Sequence, residues 1–265
     1  MLKDITLGQY FPGDTVVHRL DPRTKLILVV VYIVALFQAA GWWSYGAVTA
    51  VTLLCLGLSR IRPATVFKGL RPMVFIIALT ALLNIFYTAG TPVLPGWMIT
   101  WEGIARAVQM MLRISLLITG TFLLTYTTSP IALTDALEVL LGPLKKLRLP
   151  VHEMTIMMSM ALRFIPTLIE ETDKIMSAQQ ARGADFETGN LVRRAKALLP
   201  ILVPLFVSAF RRADDLAVAM ESRCYHGGEG RTRMKQLRFE TRDLLALLFG
   251  ALFLAGIILL RRRGL

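Results

Sequence analysis

A chain of 265 residues with 55% hydrophobic residues and a mean hydropathy of +0.57 is not an ordinary soluble globule; it belongs in a membrane. Its 30 Lys and Arg against 18 Asp and Glu give a formal charge of +12 and a pI near 10.2, compatible with anionic lipid, nucleic acid or an acidic protein partner. Positions 127–242 hold 17 basic and 13 acidic residues and all other positions only 13 and 5, so a lipid-like chain contains one water-facing block.

The first 25 residues are polar and lack a small-residue cleavage site after an apolar run, so no cleavable signal peptide is expected. Residues 26–58 carry no charge, a run too long for one span of about 20 residues. Lys3, Arg19, Arg23 and Lys25 precede this run and Arg60, Arg62, Lys68 and Arg71 follow it, so a hairpin of spans 26–40 and 42–58 keeps both clusters cytoplasmic. It would turn near Gly41-Trp42-Trp43-Ser44-Tyr45, whose aromatics suit an interface.

Spans at 73–87 and 104–126 flank a Pro/Gly-rich loop without Lys or Arg, which is therefore expected outside. Residues 244–260 supply 17 apolar positions for a fifth span. An odd count places the C-terminus outside. Arg261, Arg262 and Arg263 oppose that, but Arg231, Arg233, Lys235, Arg238 and Arg242 form a larger cluster on the other flank. The expected fold class is an all-α integral membrane protein. It comprises a membrane domain at 1–126, a cytoplasmic domain of amphipathic helices at 127–242 and a C-terminal transmembrane helix at 243–265.

Within the spans, Arg106 and Arg113 share a helix face. Snorkelling for Arg106 and a packed partner for Arg113 compete with a polar contact to another subunit. Asn84 is similarly ambiguous, since buried amides often just bond a neighbouring helix.

The charged block reads as helices too polar to span. Residues 130–148 place Leu133, Leu137, Leu140, Leu141 and Leu144 at helical spacing, with Gly142-Pro143 bending or ending the helix. A second helix, 150–182, carries Met154, Met157, Met158, Met160 and Met176, and Pro166 inside it predicts a kink. Flexible, polarizable methionines can repack against differently shaped partners, or simply fill a core. Residues 191–223 include LLPILVPLFVSAF, only 13 residues and interrupted by Pro200 and Pro204, which predicts a buried or interfacial helix rather than a span.

One internal repeat stands out. DKIMSAQQARG at 173–183 and DDLAVAMESRC at 214–224 align without a gap as Asp-x-(Ile/Leu)-x-x-Ala-x-x-(Ala/Ser)-Arg-small. An arginine in a last helical turn complements the negative end of the dipole and offers a planar fork to a carboxylate. Small flanks (Ala181 and Gly183; Ser222 and Cys224) would let each tip enter a groove. Paired tips suit a dimeric partner, one tip per subunit.

Other chemistry finds little support. No phosphate-binding G-x-x-x-x-G-K-[ST] loop occurs, since the glycines of HGGEG at 226–230 lack the lysine. His18, His152 and His226 are scattered, and Cys55 and Cys224 lie in different surroundings, so neither a metal site nor a disulfide is expected. Glu170-Glu171 and Asp214-Asp215 sit beside Lys174, Arg211 and Arg212, where solvated ion pairing explains them better than acid/base work.

With these tips in view, the chain resembles the transmembrane T component (EcfT) of energy-coupling factor transporters. The resemblance rests on HRLDPRTKL at 18–26, RPMVFIIALTALLNIFY at 71–87, TTSPIALTDALEVLLGPLKKLRLPVHE at 127–153, MSMALRFIPTLIEETDKIMSAQQARGADF at 158–186 and PLFVSAFRRADDLAVAMESRCYHGGEGRTR at 204–233. It implies a prokaryotic plasma-membrane subunit with its N-terminus and coupling domain cytoplasmic. The tips Ala181-Arg182-Gly183 and Ser222-Arg223-Cys224 would dock on two ABC-type ATPases. The second tip departs from the commoner Ala-Arg-Gly while keeping its arginine.

The resemblance further implies that ATP and Mg are used by the ATPases, that this chain binds no cofactor, and that a separate membrane-embedded S component binds a vitamin or transition-metal ion. Met154, Met157 and Met158 would contact that component. Nucleic acid is then not needed as a partner. The rival reading is an integral membrane enzyme using the acidic pairs.

Overall fold

The computed structural model describes residues 10–92, 99–147, 150–184, 186, 190–227, 237 and 239–263. Nine α-helices occur among them: α1 (Pro22–Gln38), α2 (Trp42–Ser59), α3 (Pro63–Leu70), α4 (Val74–Tyr87), α5 (Trp101–Thr127), α6 (Pro130–Leu140), α7 (Val151–Ala181), α8 (Leu191–Ser222) and α9 (Thr241–Arg262). Short 3-10 turns cover Arg71–Met73 and Gly142–Leu147. The protein is thus all-α, with no strand among the described residues. Lys3, residues 228–236 and Arg238, which carry several of the expected basic flanks, lie outside the described residues.

The chain divides into two compact units, one containing Gly8–Ala136 with Leu237–Leu265 and the other Leu137–Gln236. The division falls inside α6, where the sequence places it at 127. In the first unit four stretches are long and apolar enough to cross a bilayer: Trp42–Ser59, Pro63–Tyr87, Trp101–Thr127 and Thr241–Arg262. The expected span at 26–40 is not among them. Its helix, α1, has 17 residues and opens with Pro-Arg-Thr-Lys, leaving about 18 Å of apolar helix at 1.5 Å per residue. One residue short of the 18 of α2, α1 packs against α9, α5 and α2, where a short helix is covered by its neighbours.

The expected span at 73–87 begins earlier than its apolar run. Pro63 stands at the first turn of α3, where a missing N–H costs nothing. The turn at Arg71-Pro72-Met73 joins α3 to α4, because Pro72 cannot donate to an α-helical ladder.

Lipid gives little hydrophobic drive between spans, so close packing and hydrogen bonds hold this unit together. Ala35, Leu36, Ala39, Tyr45, Val48, Leu116 and Ile257 form its buried cluster. Tyr32 on α1 reaches Thr52 Oγ1 on α2 at 2.9 Å and donates to the Leu116 carbonyl on α5 at 3.0 Å. A side chain at Gly120 would strike the Tyr32 ring, so the glycine sets that approach. Arg113 donates to the Ala39 carbonyl at the end of α1 (3.0 Å) and lies 5.7 Å from the Tyr45 ring, the packed partner anticipated for an intramembrane cation. Asn84, left ambiguous by the sequence, donates to the Thr80 carbonyl of its own helix at 2.8 Å.

In the second unit α6 stops at Leu140 before Gly142-Pro143, as anticipated. His152 Nδ1 meets Glu138 Oε1 at 2.9 Å, joining the end of α6 to the start of α7. α8 runs unbroken through Pro200 and Pro204. It is not buried within this chain: Leu199, Val203, Phe206 and Phe210 are 55–68% exposed. Of the two readings of 191–223, the buried one finds no support, because no described residue of this unit covers this face.

Candidate docking tips and the junction of the membrane helices

The two repeated segments end α7 and α8 with one backbone geometry. At the first, Gly183 N donates to the Gln180 carbonyl (2.9 Å) and Ala184 N to the Gln179 carbonyl (3.0 Å). At the second, Cys224 N donates to the Glu221 carbonyl (2.8 Å) and Tyr225 N to the Met220 carbonyl (3.0 Å). Both are Schellman caps, with the arginine at C-cap and the next residue left-handed. Gly183 has φ 88° and Cys224 φ 56°. In the sequence the smallness of these residues reads as room for a groove; in the structure the reversal of the backbone is the stronger constraint. Ala181, Arg182, Gly183, Ser222, Arg223 and Cys224 are all exposed.

α7 and α8 pack together, and Arg212 Nη2 meets Glu171 Oε2 at 3.6 Å. Glu171 precedes Arg182 by eleven residues and Arg212 precedes Arg223 by eleven. The contact therefore falls at the same register of both repeats, and each tip projects about 16 Å beyond it along its helix. One of the four acids, Glu171, is thus engaged in ion pairing, while Glu170, Asp214 and Asp215 stand exposed on helix surfaces. Met154, Met157 and Met158, at i, i+3 and i+4, are 51%, 61% and 45% exposed, so they do not fill a core of this chain.

The HRLDPRTKL segment builds a second constellation, at the start of α1. Asp21 caps α1 by accepting from Arg23 N (2.8 Å) and holds the Arg23 guanidinium at 3.1 and 3.0 Å. Asp21 N donates to Asp243 Oδ1 on α9 at 2.8 Å, and Asp243 Oδ2 accepts from Glu240 N at 2.9 Å in a capping box. Lys25 Nζ donates to the His18 carbonyl (3.1 Å) and to the Thr127 carbonyl at the end of α5 (2.9 Å), where a cation suits the dipole. Arg23 also lies 4.2 Å over the Phe239 ring.

His18 closes this knot from the N-terminal side, its ring nitrogens meeting Thr15 Oγ1 at 2.6 Å and the Phe11 carbonyl at 3.1 Å. Burial pulls its imidazole below the ordinary histidine range, opposed by the Phe11 carbonyl and reinforced by the Lys25 charge. Neutral, it donates from Nε2 to Phe11 and accepts at Nδ1 from Thr15. The sequence offered one signal for the missed partner, Asp243, a lone acid in the first turn of an otherwise apolar helix.

The chain matches the family described as cobalt transport protein (CbiQ) over residues 13–234. A protein from Ruminiclostridium cellulolyticum named energy-coupling factor transporter transmembrane protein EcfT is 52% identical over 263 residues, 98% of each chain. The protein so named from Clostridium kluyveri is 53% identical over 266 residues, 99% of this chain and 98% of its own. That from Bacillus subtilis is 48% identical over 246 residues, 92% of this chain and 93% of its own. Near-full-length identity at this level, on an all-helical chain with several spans, places the protein in the family of energy-coupling factor transporter transmembrane proteins, as a multi-pass membrane component.

Proposed function

We propose that this chain is the non-catalytic coupling subunit of its transporter. Arg182 and Arg223 each dock on one of two ABC-type ATPase subunits, which bind ATP and Mg and hydrolyse the nucleotide. Motion of the ATPases, passed through α7 and α8, reorients a membrane-embedded S component that binds a vitamin or transition-metal ion. The observation that carries this reading is the equivalence of the two tips: one cap geometry, an exposed arginine at the same position of each, and a contact equidistant from both. Such a pair matches a two-fold partner.

The exposed Met154, Met157 and Met158 and the apolar face of α8 support contact with the S component, since a face left open among the described residues suits another apolar surface. The basic flanks of the spans support a cytoplasmic N-terminus and coupling unit in a prokaryotic plasma membrane.

The test is joint charge reversal, Arg182→Glu with Arg223→Glu. Loss of two charge-assisted contacts predicts at least a hundredfold weaker ATPase association, at roughly 1.5–3 kcal/mol each, with uptake lost and the S component still co-purifying. Undiminished co-purification of both ATPases with the doubly reversed chain would overturn the assignment.

A further inference from the structure

A partly open cleft of about 520 Å³ lies between α1, α2, α5 and α9. None of the docking residues lines it. Its walls are apolar along most of their length, including Leu28, Val31, Leu54, Leu124 and Phe249, and its ionisable lining at neutral pH is basic: Lys25 and Arg242. Both belong to the first turns of their helices, α1 and α9, so the cleft has an apolar body and two cations at one end.

The two cations differ in how far they are already engaged. Lys25 is 5% exposed and spends two of its three N–H groups on the His18 and Thr127 carbonyls. Its charge faces Asp243 and Asp21, and Asp21 is in turn held by Arg23. Among the described residues Arg242 meets the exposed Glu240 carboxylate, 3.3 Å from its Nε, which engages one of its five N–H donors. A trough shaped in this way fits a molecule with an apolar tail and an anionic head. It is too small for a partner helix, since even ten residues of a helix 10 Å across occupy about 1,200 Å³.

We propose that the cleft is a binding site for one anionic phospholipid, an acyl chain filling the trough and the phosphate held at its cationic end by Arg242 with the remaining Lys25 donor. The lipid then stands against the first half of α1, between α2, α5 and α9. Its binding does not depend on the coupling role.

The full chain in its complex, reconstituted in vesicles of equal phosphatidylglycerol and phosphatidylcholine, is extracted in mild detergent and its retained lipid measured by native mass spectrometry. The expected result is one retained phosphatidylglycerol per chain, enriched about fivefold over phosphatidylcholine from one basic side chain. Arg242→Gln should remove that enrichment, and Leu124→Trp, which fills the trough, should remove the lipid. Should Leu124→Trp fail to assemble, Phe249→Trp fills the same space from α9. Equal retention of the two lipids, no retained lipid, enrichment unchanged by Arg242→Gln, or a lipid unaffected by the filled trough overturns the proposal. So does a photo-cross-linker at Leu54 that captures a protein chain instead of lipid.

Discussion

Cys224 holds a φ of 56°, a conformation that costs an L residue roughly 1–2 kcal/mol and glycine almost nothing. Gly183 meets the same demand at the other tip without that cost. Cys224→Gly should therefore raise stability by about 1 kcal/mol and leave ATPase docking intact, while Gly183→Ala should lower stability by about 1–2 kcal/mol. Thermal unfolding of the purified complex measures both, and a stabilising Gly183→Ala would refute this account of the caps. The arginines were legible in the sequence because two segments repeat in register. The cap was not, because cysteine is a poor signal for a left-handed residue. Arg113 shows the opposite case: of its two readings the structure selects the packed one, through a carbonyl 74 residues distant that no local pattern identifies.

Helices were readable where composition changes sharply, as at the apolar α9, and obscured where charge and proline interrupt them. α3 escaped notice because Arg62, Lys68 and Arg71 look like loop charges, although they are exposed residues within or beside a helix whose Val66 is buried. The joining of α1 to α9 was hidden for another reason: Asp21 and Asp243 stand 222 residues apart. Asp243 is 2% exposed and satisfies two backbone N–H groups, so its removal orphans both and takes away one of the two carboxylates near Lys25. Asp243→Ala should cost about 3 kcal/mol, and Asp243→Asn, which keeps one acceptor, distinctly less. Thermal melts of the detergent-solubilised protein separate the two, and equal losses would mean that the helix junction does not depend on this carboxylate.

The bonding pattern of the membrane unit also fixes which helix ends lie together. Asp21 and Asp243 join the starts of α1 and α9, and Arg261 bonds Gln38 at their far ends, so the two helices run parallel. α2 and α5 run opposite to α1, because Thr52 and Leu116 meet Tyr32 while Thr127 meets Lys25 and Ala39 meets Arg113. Arg60 and Arg62, just after α2, thus belong to the Lys25 end, and Arg261–Arg263 to the opposite one. The three terminal arginines, which by charge alone should remain with the other basic clusters, are held away from them by packing. Part of the +12 charge is therefore placed against the charge rule, and Gln38 gives Arg261 a polar partner there. In a background with Cys55→Ser and Cys224→Ser, Arg263→Cys should react with a membrane-impermeant thiol reagent in intact cells. Arg62→Cys, equally exposed, should react only after permeabilisation. Labelling of both from one side would mean that α9 does not cross beside α1, and with it would fall the parallel packing that Asp243 anchors.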